Sequence, residues 1–320
     1  GAGRAEVARL DTASDVRCCH AACTLAASSF FASAKKIASS VKNSGAAGVQ
    51  GRMKTNIAEL AAALRSLSPA DRDAVMRATY APPPAAKKAR ARLAGKAVQH
   101  ALPDGSFIEM VAIPAGTFTR GCDTSQWSDE RPEDRITMSA YLIARYPTTV
   151  GQFRAFVTAT SHVTTAETER SERTWRNPGF AQTDAHPVVC VSHDGAPAFC
   201  AWAGLALPTE AQWEYAARGT DGRTYPWGEE TPDDTRLWWS GTTRRNGTCP
   251  VGEHPAGASP FGAHDIAGNV WEWVADWYDD RGYDTMQTID PTGTKQGSRR
   301  ALRGGCWYNS LTGNVRAANR

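Results

Sequence analysis

Two carboxylates, Asp265 and Glu272, flank a glycine turn in the stretch GAHDIAGNVWEWVADW, which covers residues 262–277. Acids joined by a tight turn can converge on one cation, and calcium binds the oxygen atoms of carboxylates, carbonyls and water. The same stretch contains three tryptophans, Trp271, Trp273 and Trp277. The segment is therefore interpreted either as a calcium turn or as an aromatic core with solvated acids around it.

Cysteine, a second residue type that could bind a metal or act as a nucleophile, occurs eight times. No CxxC pair is present, and Cys190 and Cys200 lie in apolar runs, where cysteine usually serves as a small buried residue. Bridges among the others stay open because connectivity cannot be derived from one sequence. This usage favours a reduced, cytoplasmic setting. Because the chain starts at Gly1 without a methionine, a secreted or surface location also stays open.

The composition is that of a globular protein. The chain has 320 residues, of which 41% are hydrophobic, and this is enough for one large domain with a smaller partner. A formal net charge of +3 gives no reason to expect nucleic acid as a partner. No apolar run reaches the roughly 18 residues of a transmembrane helix. Eleven tryptophans are typical of a chain that builds aromatic pockets as well as a core.

The elements that must position these residues fall into two regions. Residues 1–80 are rich in Ala, Lys and Arg with apolar residues at helical spacing, which predicts a helical N-terminal region. Residues 81–104 predict a basic linker that begins with prolines. The remainder, residues 105–320, predicts a loop-rich α+β domain, since short β-like runs alternate with helical ones.

Within that domain the pattern predicts a strand pair around the Pro-Ala-Gly turn of residues 108–121. The predicted helices cover residues 148–160, 194–205 and 207–219. Thr209 and Gly219 are suitable caps for the last of these helices. Glu210 and Glu214 share one face of it, and capping and salt bridges explain this pair better than catalysis does.

Six ordered motifs in this region resemble the formylglycine-generating enzyme family, also called the sulfatase-modifying factor family. They are FIEMVAIPAGTFTRG, DERPEDRITMSAYLIARYPTTVGQFRAF, HPVVCVSHDGAPAFCAWAGLALPTEAQWEYAARG, YPWGEE, CPVGEHPAGASPFGAHDIAGNVWEW and RALRGGCWYN. The resemblance implies a variant of the C-type lectin fold. It also implies a C-terminally truncated domain, because domains of this family usually continue beyond the segment that ends at Arg320.

The resemblance does not by itself imply the family's oxidase activity, since one fold can carry several functions. Formylglycine-generating enzymes oxidise a cysteine of a client sulfatase with copper held by two cysteines, a thiolate pair suited to Cu(I). The corresponding positions here are Asn309 and Asn314. Amides are poor Cu(I) ligands, so we do not expect copper. Cys306 is the one candidate for a catalytic residue, and the alternative is a small packed side chain.

The chain also resembles another group with this fold, the variable proteins of diversity-generating retroelements, which use the fold to bind ligands. Their variable positions follow the Arg-Gly-Gly run and are often Asn, Ser, Tyr or Thr, which suit adaptable recognition. The residues of that character here are Trp307, Tyr308, Asn309, Ser310, Thr312 and Asn314. An ordinary polar loop explains the same residues equally well, because variability cannot be observed in one sequence.

The resemblance also supplies a calcium ligand set and a pocket wall. The ligands would be the side chains of Asp265 and Glu272 and the carbonyl groups of Gly268 and Val270. The pocket wall would consist of Trp271, Arg303, Trp307 and Tyr308.

Three hypotheses follow. The first is a non-oxidase, C-type-lectin-like module that binds or displays a protein or small-molecule ligand on the surface after Arg303. The second is an oxidoreductase, acting on a protein cysteine or as a related oxidase, with an atypical active site around Cys306. The third is a purely structural domain.

Overall fold

The computed structural model describes residues 97–320, except 282, 284–286 and 295, together with the backbone of residues 19–21 and 24–25. The chain divides into two units, residues 1–25 with 90–320, and residues 26–89. The second unit lies outside the described residues, as does nearly all of the predicted helical region. Within the described ranges, no helix combines the length and apolar composition needed to cross a membrane.

In the described part of the chain, nine strands form three sheets. In chain order they are β1 (Cys19–Ala21), β2 (Thr24–Leu25), β3 (Ala97–Ala101), β4 (Phe107–Ile113), β5 (Gly116–Arg120), β6 (Asp134–Met138), β7 (Tyr141–Ala144), β8 (Trp271–Trp277) and β9 (Arg300–Arg303). One sheet has the order β2-β7-β4-β3, a second has the order β1-β8-β9, and β5 pairs with β6. The β1–β8 pairing is parallel, whereas β9 runs antiparallel to β8 with Arg303 opposite Glu272.

Two of these strand findings differ from the sequence predictions. The predicted strand pair of residues 108–121 is wrong as a pairing, because β4 pairs with β3 and β7 while β5 pairs with β6. In addition, β3 lies inside the stretch predicted as linker, and β1 and β2 lie inside the region predicted as helical. Short strands of this kind are held by their neighbours in the sheet, which a local pattern does not reveal.

The described helices are α1 (Val150–Thr160), α2 (Thr165–Thr168), α3 (Gly195–Trp202) and α4 (Glu210–Arg218). The three longer ones confirm the helices expected from the sequence. Before α4, the Thr209 side chain accepts a hydrogen bond from the Gln212 backbone N–H, and the Gln212 side chain accepts one from the Thr209 backbone N–H. This reciprocal cap fixes where the helix begins. At its other end Gly219, with a φ of 68°, ends it.

The core lies on both faces of β4. Ile108, Met110 and Ala112 pack against α1 and α3, whereas Val111 and Ile113 belong to a second apolar cluster that includes residues of α4 and β8. Successive side chains of a strand point to opposite faces, so this strand is buried on both. That explains the continuous apolar run of residues 110–113 in the second half of β4.

A buried ion cluster joins α4 to β9 and to the end of the described chain. The Glu214 carboxylate receives hydrogen bonds from Arg303 at 2.5 Å and Arg218 at 2.9 Å. Arg320 binds Glu210 through two nitrogens at 2.7 and 2.9 Å. Burial opposes ionisation of both acids, but the arginines outweigh it and lower the pKa of Glu210 and of Glu214. The salt bridges expected for this acid pair are therefore present, and they are internal ones.

We expect Arg303→Gln to lower the free energy of unfolding by about 3–5 kcal/mol, because it leaves the buried Glu214 carboxylate with one cationic partner fewer. Urea denaturation measures the change. Arg154→Gln is the matched control: it removes an arginine whose pair with Asp184 is about half exposed, and we expect a cost below about 1 kcal/mol. Equal costs for the two substitutions would contradict a dominant role for the buried cluster.

Asp276 of β8 is a buried acid at the first turn of α4. Its carboxylate accepts a hydrogen bond from the Glu210 backbone N–H at 2.7 Å. Burial, together with the nearby charge of Glu210, raises the pKa of Asp276 to about 7. The native protein therefore holds this proton in a pH range where the unfolded chain releases it.

Because the folded pKa is the higher one, Asp276 contributes stability at low pH and loses it as the pH rises through about 7. We expect the free energy of unfolding of the native protein to fall, relative to Asp276→Asn, as the pH is raised from about 4 to about 8. Urea denaturation at several pH values measures this difference. If the free energy of unfolding changed with pH in parallel in the two proteins, the raised pKa of Asp276 would be refuted.

Candidate functional site

The turn before β8 is held in an unusual backbone conformation. Asp265, Gly268 and Asn269 all have positive φ angles, of 53°, 79° and 55°. At Gly268 a β-carbon would lie 2.8 Å from the Trp238 carbonyl oxygen, so only glycine fits there. The Gly268 N–H donates to the Gly304 carbonyl at 2.9 Å, which fastens the turn to the chain after β9.

Asn269 ties this turn to its surroundings, although sequence reasoning did not single it out. Its fully buried side chain accepts a hydrogen bond from the Cys249 backbone N–H and donates one to the Cys249 carbonyl, each at 3.1 Å. Its backbone carbonyl accepts from the Trp307 N–H at 3.0 Å. The GNVW motif contains this asparagine, but nothing in the local pattern shows that it would be buried.

The two carboxylates of the predicted calcium turn are both buried. Asp265 accepts hydrogen bonds from the Gly252 backbone at 2.6 Å and from Asn269, and Glu272 accepts one from the Trp213 indole at 2.6 Å. Burial raises the pKa of Asp265 to about 6. Burial, with a smaller contribution from the Asp265 charge, raises the pKa of Glu272 to about 8. Without compensation, ionising both acids is therefore costly.

The donor chemistry of this turn suits a hard cation. Of the residues that the structure describes, no arginine or lysine is a main cause of the pKa shifts of Asp265 and Glu272, unlike those of the acids in the ion cluster. A carboxylate oxygen has lone pairs for a cation as well as for one N–H donor. Among the described residues, however, no three His, Cys, Asp or Glu side chains form a metal-binding group. Any further ligands would be oxygens of the backbone, of uncharged side chains or of water.

An aromatic cluster lies beside β9, where the sequence predicts a pocket wall. Buried Trp271 and Cys306 pack together, with Trp307 and Leu302 against them. The indole N–H groups of Trp271 and Trp307 are buried and have no hydrogen-bond partner in the described structure. A buried donor without a partner costs about 1–3 kcal/mol, so these two groups are available for an acceptor on a ligand or for water.

Arg303 does not belong to this pocket wall, contrary to the sequence-based expectation. It is fully buried, and its guanidinium donates to Glu214 and to the carbonyl groups of Ala317 and Ala318 at 3.0 Å. Because the positive charge of Arg303 is paired with a buried carboxylate, it is not available to an external ligand. The position of the Arg in the Arg-Gly-Gly run could not reveal this, since its acidic partners lie on α4.

The segment that follows, residues 307–314, is named the ligand loop here. Its base is fixed by backbone contacts. Ser240 donates its N–H to the Asn309 carbonyl at 2.9 Å, and its hydroxyl donates to the Trp307 carbonyl at 2.8 Å. At Gly305, which leads into the loop, a β-carbon would lie 2.5 Å from the Asn314 carbonyl oxygen. The loop is therefore closed tightly at its base.

The outer part of the ligand loop faces solvent. Tyr308, Ser310, Leu311 and Thr312 are exposed, and the Leu311 side chain reaches 65%. Trp307, Asn309 and Asn314 are half-buried. The predicted loop residues are neighbours in the chain, and of these Trp307 packs against the cluster that contains Trp271.

The side chain of Asn309, which the sequence analysis expects in place of a copper-binding cysteine, is hydrogen-bonded to Cys306. Its Oδ1 accepts hydrogen bonds from the Cys306 N–H at 2.7 Å and from the Cys306 thiol at 3.2 Å. The Asn314 carbonyl accepts from the Asn319 side chain at 3.3 Å. Cys306 itself is fully buried, so its thiol, which donates to Asn309, is shielded from solvent.

Comparison with known proteins identifies the family. Residues 96–320 match the sulfatase-modifying factor enzyme 1-like domain, and the chain belongs to that family. The formylglycine-generating enzyme of Thermomonospora curvata is 36% identical over 265 residues, covering 66% of this chain and 87% of that protein. The serine/threonine-protein kinase pkn1 of Chlamydia caviae is 35% identical over 236 residues, covering 68% of this chain but only 36% of the kinase.

Solved structures confirm the fold. PvdO from Pseudomonas aeruginosa superposes with a TM-score of 0.59 at 28% identity, covering 71% of this chain and 91% of PvdO. Variable protein 1 of Treponema denticola gives a TM-score of 0.53 at 21% identity, covering 70% and 92% of the two chains. The predicted α+β, loop-rich fold of the formylglycine-generating enzyme type is therefore correct.

We expect exposed and anchoring positions of the ligand loop to respond differently to substitution. Asn309→Ala removes two hydrogen bonds at the base and should lower the free energy of unfolding by about 1–2 kcal/mol. Ser310→Tyr changes an exposed side chain and should stay within about 0.5 kcal/mol. Urea denaturation of both variants tests this. A loss at Ser310 as large as that at Asn309 would show that the outer loop is part of the core.

Proposed function

We propose that this domain is a non-oxidase member of its family that binds or displays ligands through the ligand loop and the neighbouring aromatic cluster of Trp271 and Trp307. The observation that carries this proposal is that the base of the loop is anchored by hydrogen bonds while its outer residues are exposed. Backbone bonds to Ser240 and Asn269 hold its base, while Tyr308, Ser310 and Thr312 stay exposed. A fixed backbone with exposed aromatic and short polar side chains suits adaptable recognition.

Two further observations support a binding role. The unpartnered indole groups of Trp271 and Trp307 offer hydrogen-bond donors at the edge of the loop. The fold is also shared with variable protein 1 of Treponema denticola. On this proposal, ligands would be proteins or small molecules that cover Trp307 and Tyr308.

We also propose that the turn before β8 holds a structural Ca²⁺ ion. Asp265 and Glu272 would supply carboxylate oxygens, and Gly268 and Val270 would supply carbonyl oxygens. The ion would offset the charge of two buried acids that have no cationic side chain as a main partner. Because Asn269 lies in this turn and bonds to Trp307, the ion would also steady the ligand loop.

We expect millimolar Ca²⁺ to raise the melting temperature of the native protein, since a ligand that binds only the folded state stabilises it. Asp265→Asn should abolish most of this gain, because it removes a carboxylate ligand. Asp276→Asn is the matched control and should keep the gain, since it removes a buried acid outside the turn. Differential scanning calorimetry with and without a chelator measures the shift. An equal gain in all three proteins would exclude this turn as the site.

The alternative function is oxidation of a protein cysteine, which the similarity to formylglycine-generating enzymes favours. Asn309 and Asn314, at the positions of the copper-binding cysteines, weigh against it, as does the burial of Cys306. We expect no aerobic loss of thiol from a peptide containing Cys-x-Pro-x-Arg when the protein is supplied with copper. Turnover of that peptide, lost again in Cys306→Ser, would overturn the proposed function.

Sequencing the same locus in sibling isolates provides a second test, because it separates a diversified binder from a structural domain. We expect changes to be confined to residues 307–319. Changes spread evenly along the domain, or none at all, would contradict the display role.

A further inference from the structure

A polar cleft of about 200 Å³ lies next to the ligand loop. Phe180 lines this cleft, and its ring packs edge-on against Trp307 with 5.7 Å between ring centroids. The cleft and the loop therefore meet at one pair of aromatic side chains. A ligand that covers Trp307 would be within reach of the cleft.

The lining of the cleft is cationic. Arg154 of α1 and Arg176 both line it, and no carboxylate does so among the described residues. Each arginine also forms an ion pair with an acid that is not part of the lining. Arg154 pairs through Nη1 with Asp184, and Arg176 pairs through Nε with Glu167 at 3.0 Å. A guanidinium has five N–H donors, so each of these pairs orients its arginine and leaves donors for a ligand.

Two buried polar atoms of cleft residues lack a partner. The Trp175 indole N–H and the Gln182 Oε1 make no hydrogen bond in the described structure. The Gln182 amide is oriented by its Nε2, which donates to the Pro187 carbonyl and the Thr248 hydroxyl, each at 2.9 Å. Trp175 is held between the Arg176 guanidinium, 4.2 Å above its ring, and Phe153. The side chains are thus fixed in place while one donor and one acceptor are unused.

We propose that this cleft is a subsite for a carboxylate, namely an acidic side chain on a protein bound by the ligand loop. The unused donors exceed the unused acceptors, and arginines prefer carboxylates because they can form paired, charge-assisted hydrogen bonds. The single acceptor, Gln182, matches a backbone N–H next to the acidic side chain. This inference rests on the proposed binding function and names the chemistry that its ligand would carry.

The test uses an isolated probe, so that it does not depend on the identity of the natural ligand. The indole N–H resonance of Trp175 is assigned in ¹⁵N-labelled protein from its absence in Trp175→Phe. We expect N-acetylglutamate N-methylamide to shift this resonance saturably at millimolar concentration, and less so at high salt. The neutral glutamine analogue should have little effect. No shift, or equal shifts with both probes, would overturn the carboxylate subsite.

Variants separate the cleft from the loop. Arg154→Gln and Arg176→Gln should each weaken binding of the glutamate probe by roughly threefold, as for partly exposed ion pairs. Arg170→Gln, an exposed arginine outside the lining, should leave it unchanged, as should Ser310→Tyr on the loop. Loss of probe binding in Arg170→Gln would indicate nonspecific charge attraction and overturn the subsite. Probe binding by a domain whose locus shows no loop variation would support the cleft and refute the display role.

Discussion

The buried pairing of Arg303 with Glu214 is the constraint on which the arrangement around the ligand loop depends. It joins the last described strand to α4, and Arg303 also bonds to the carbonyl groups of Ala317 and Ala318. Breaking such a pair leaves an uncompensated charge in the interior, which is far more costly than losing a surface pair. The chain on both sides of residues 307–314 is therefore fixed, and the loop between is closed on a rigid base.

A second set of contacts fixes the loop from the opposite side. The turn that contains Gly268 and Asn269 bonds to the Gly304 carbonyl and to the Trp307 N–H. This turn also carries the two buried acids, Asp265 and Glu272, whose pKa values are raised by burial. A proton or a cation that neutralises those acids changes the charge within the turn that supports Trp307. Electrostatics in the interior and order at the loop are thus physically linked.

The same family fold can serve oxidation or binding because its chemistry depends on few side chains. The residues that the sequence analysis expects in place of the oxidases' copper-binding cysteines are Asn309 and Asn314, and the Asn309 amide oxygen accepts hydrogen bonds from Cys306. With these residues the segment forms a hydrogen-bonded turn. The carbonyl and side-chain contacts that shape the loop do not require the metal, so the scaffold is compatible with loss of the oxidase site.

The family, the three longer helices with the caps of α4, and the group of residues after the Arg-Gly-Gly run could all be predicted without a structure. These follow from local signals: a capping threonine, helical spacing, and motifs whose order is specific. Four features could not be predicted in this way: the pairing of β4 and β5 with different strands, the burial of Arg303, the role of Asn269 and the cleft beside Phe180. Each of these depends on residues far apart in the chain, such as Arg303 and Glu214, and a local pattern contains no information about which distant groups will meet.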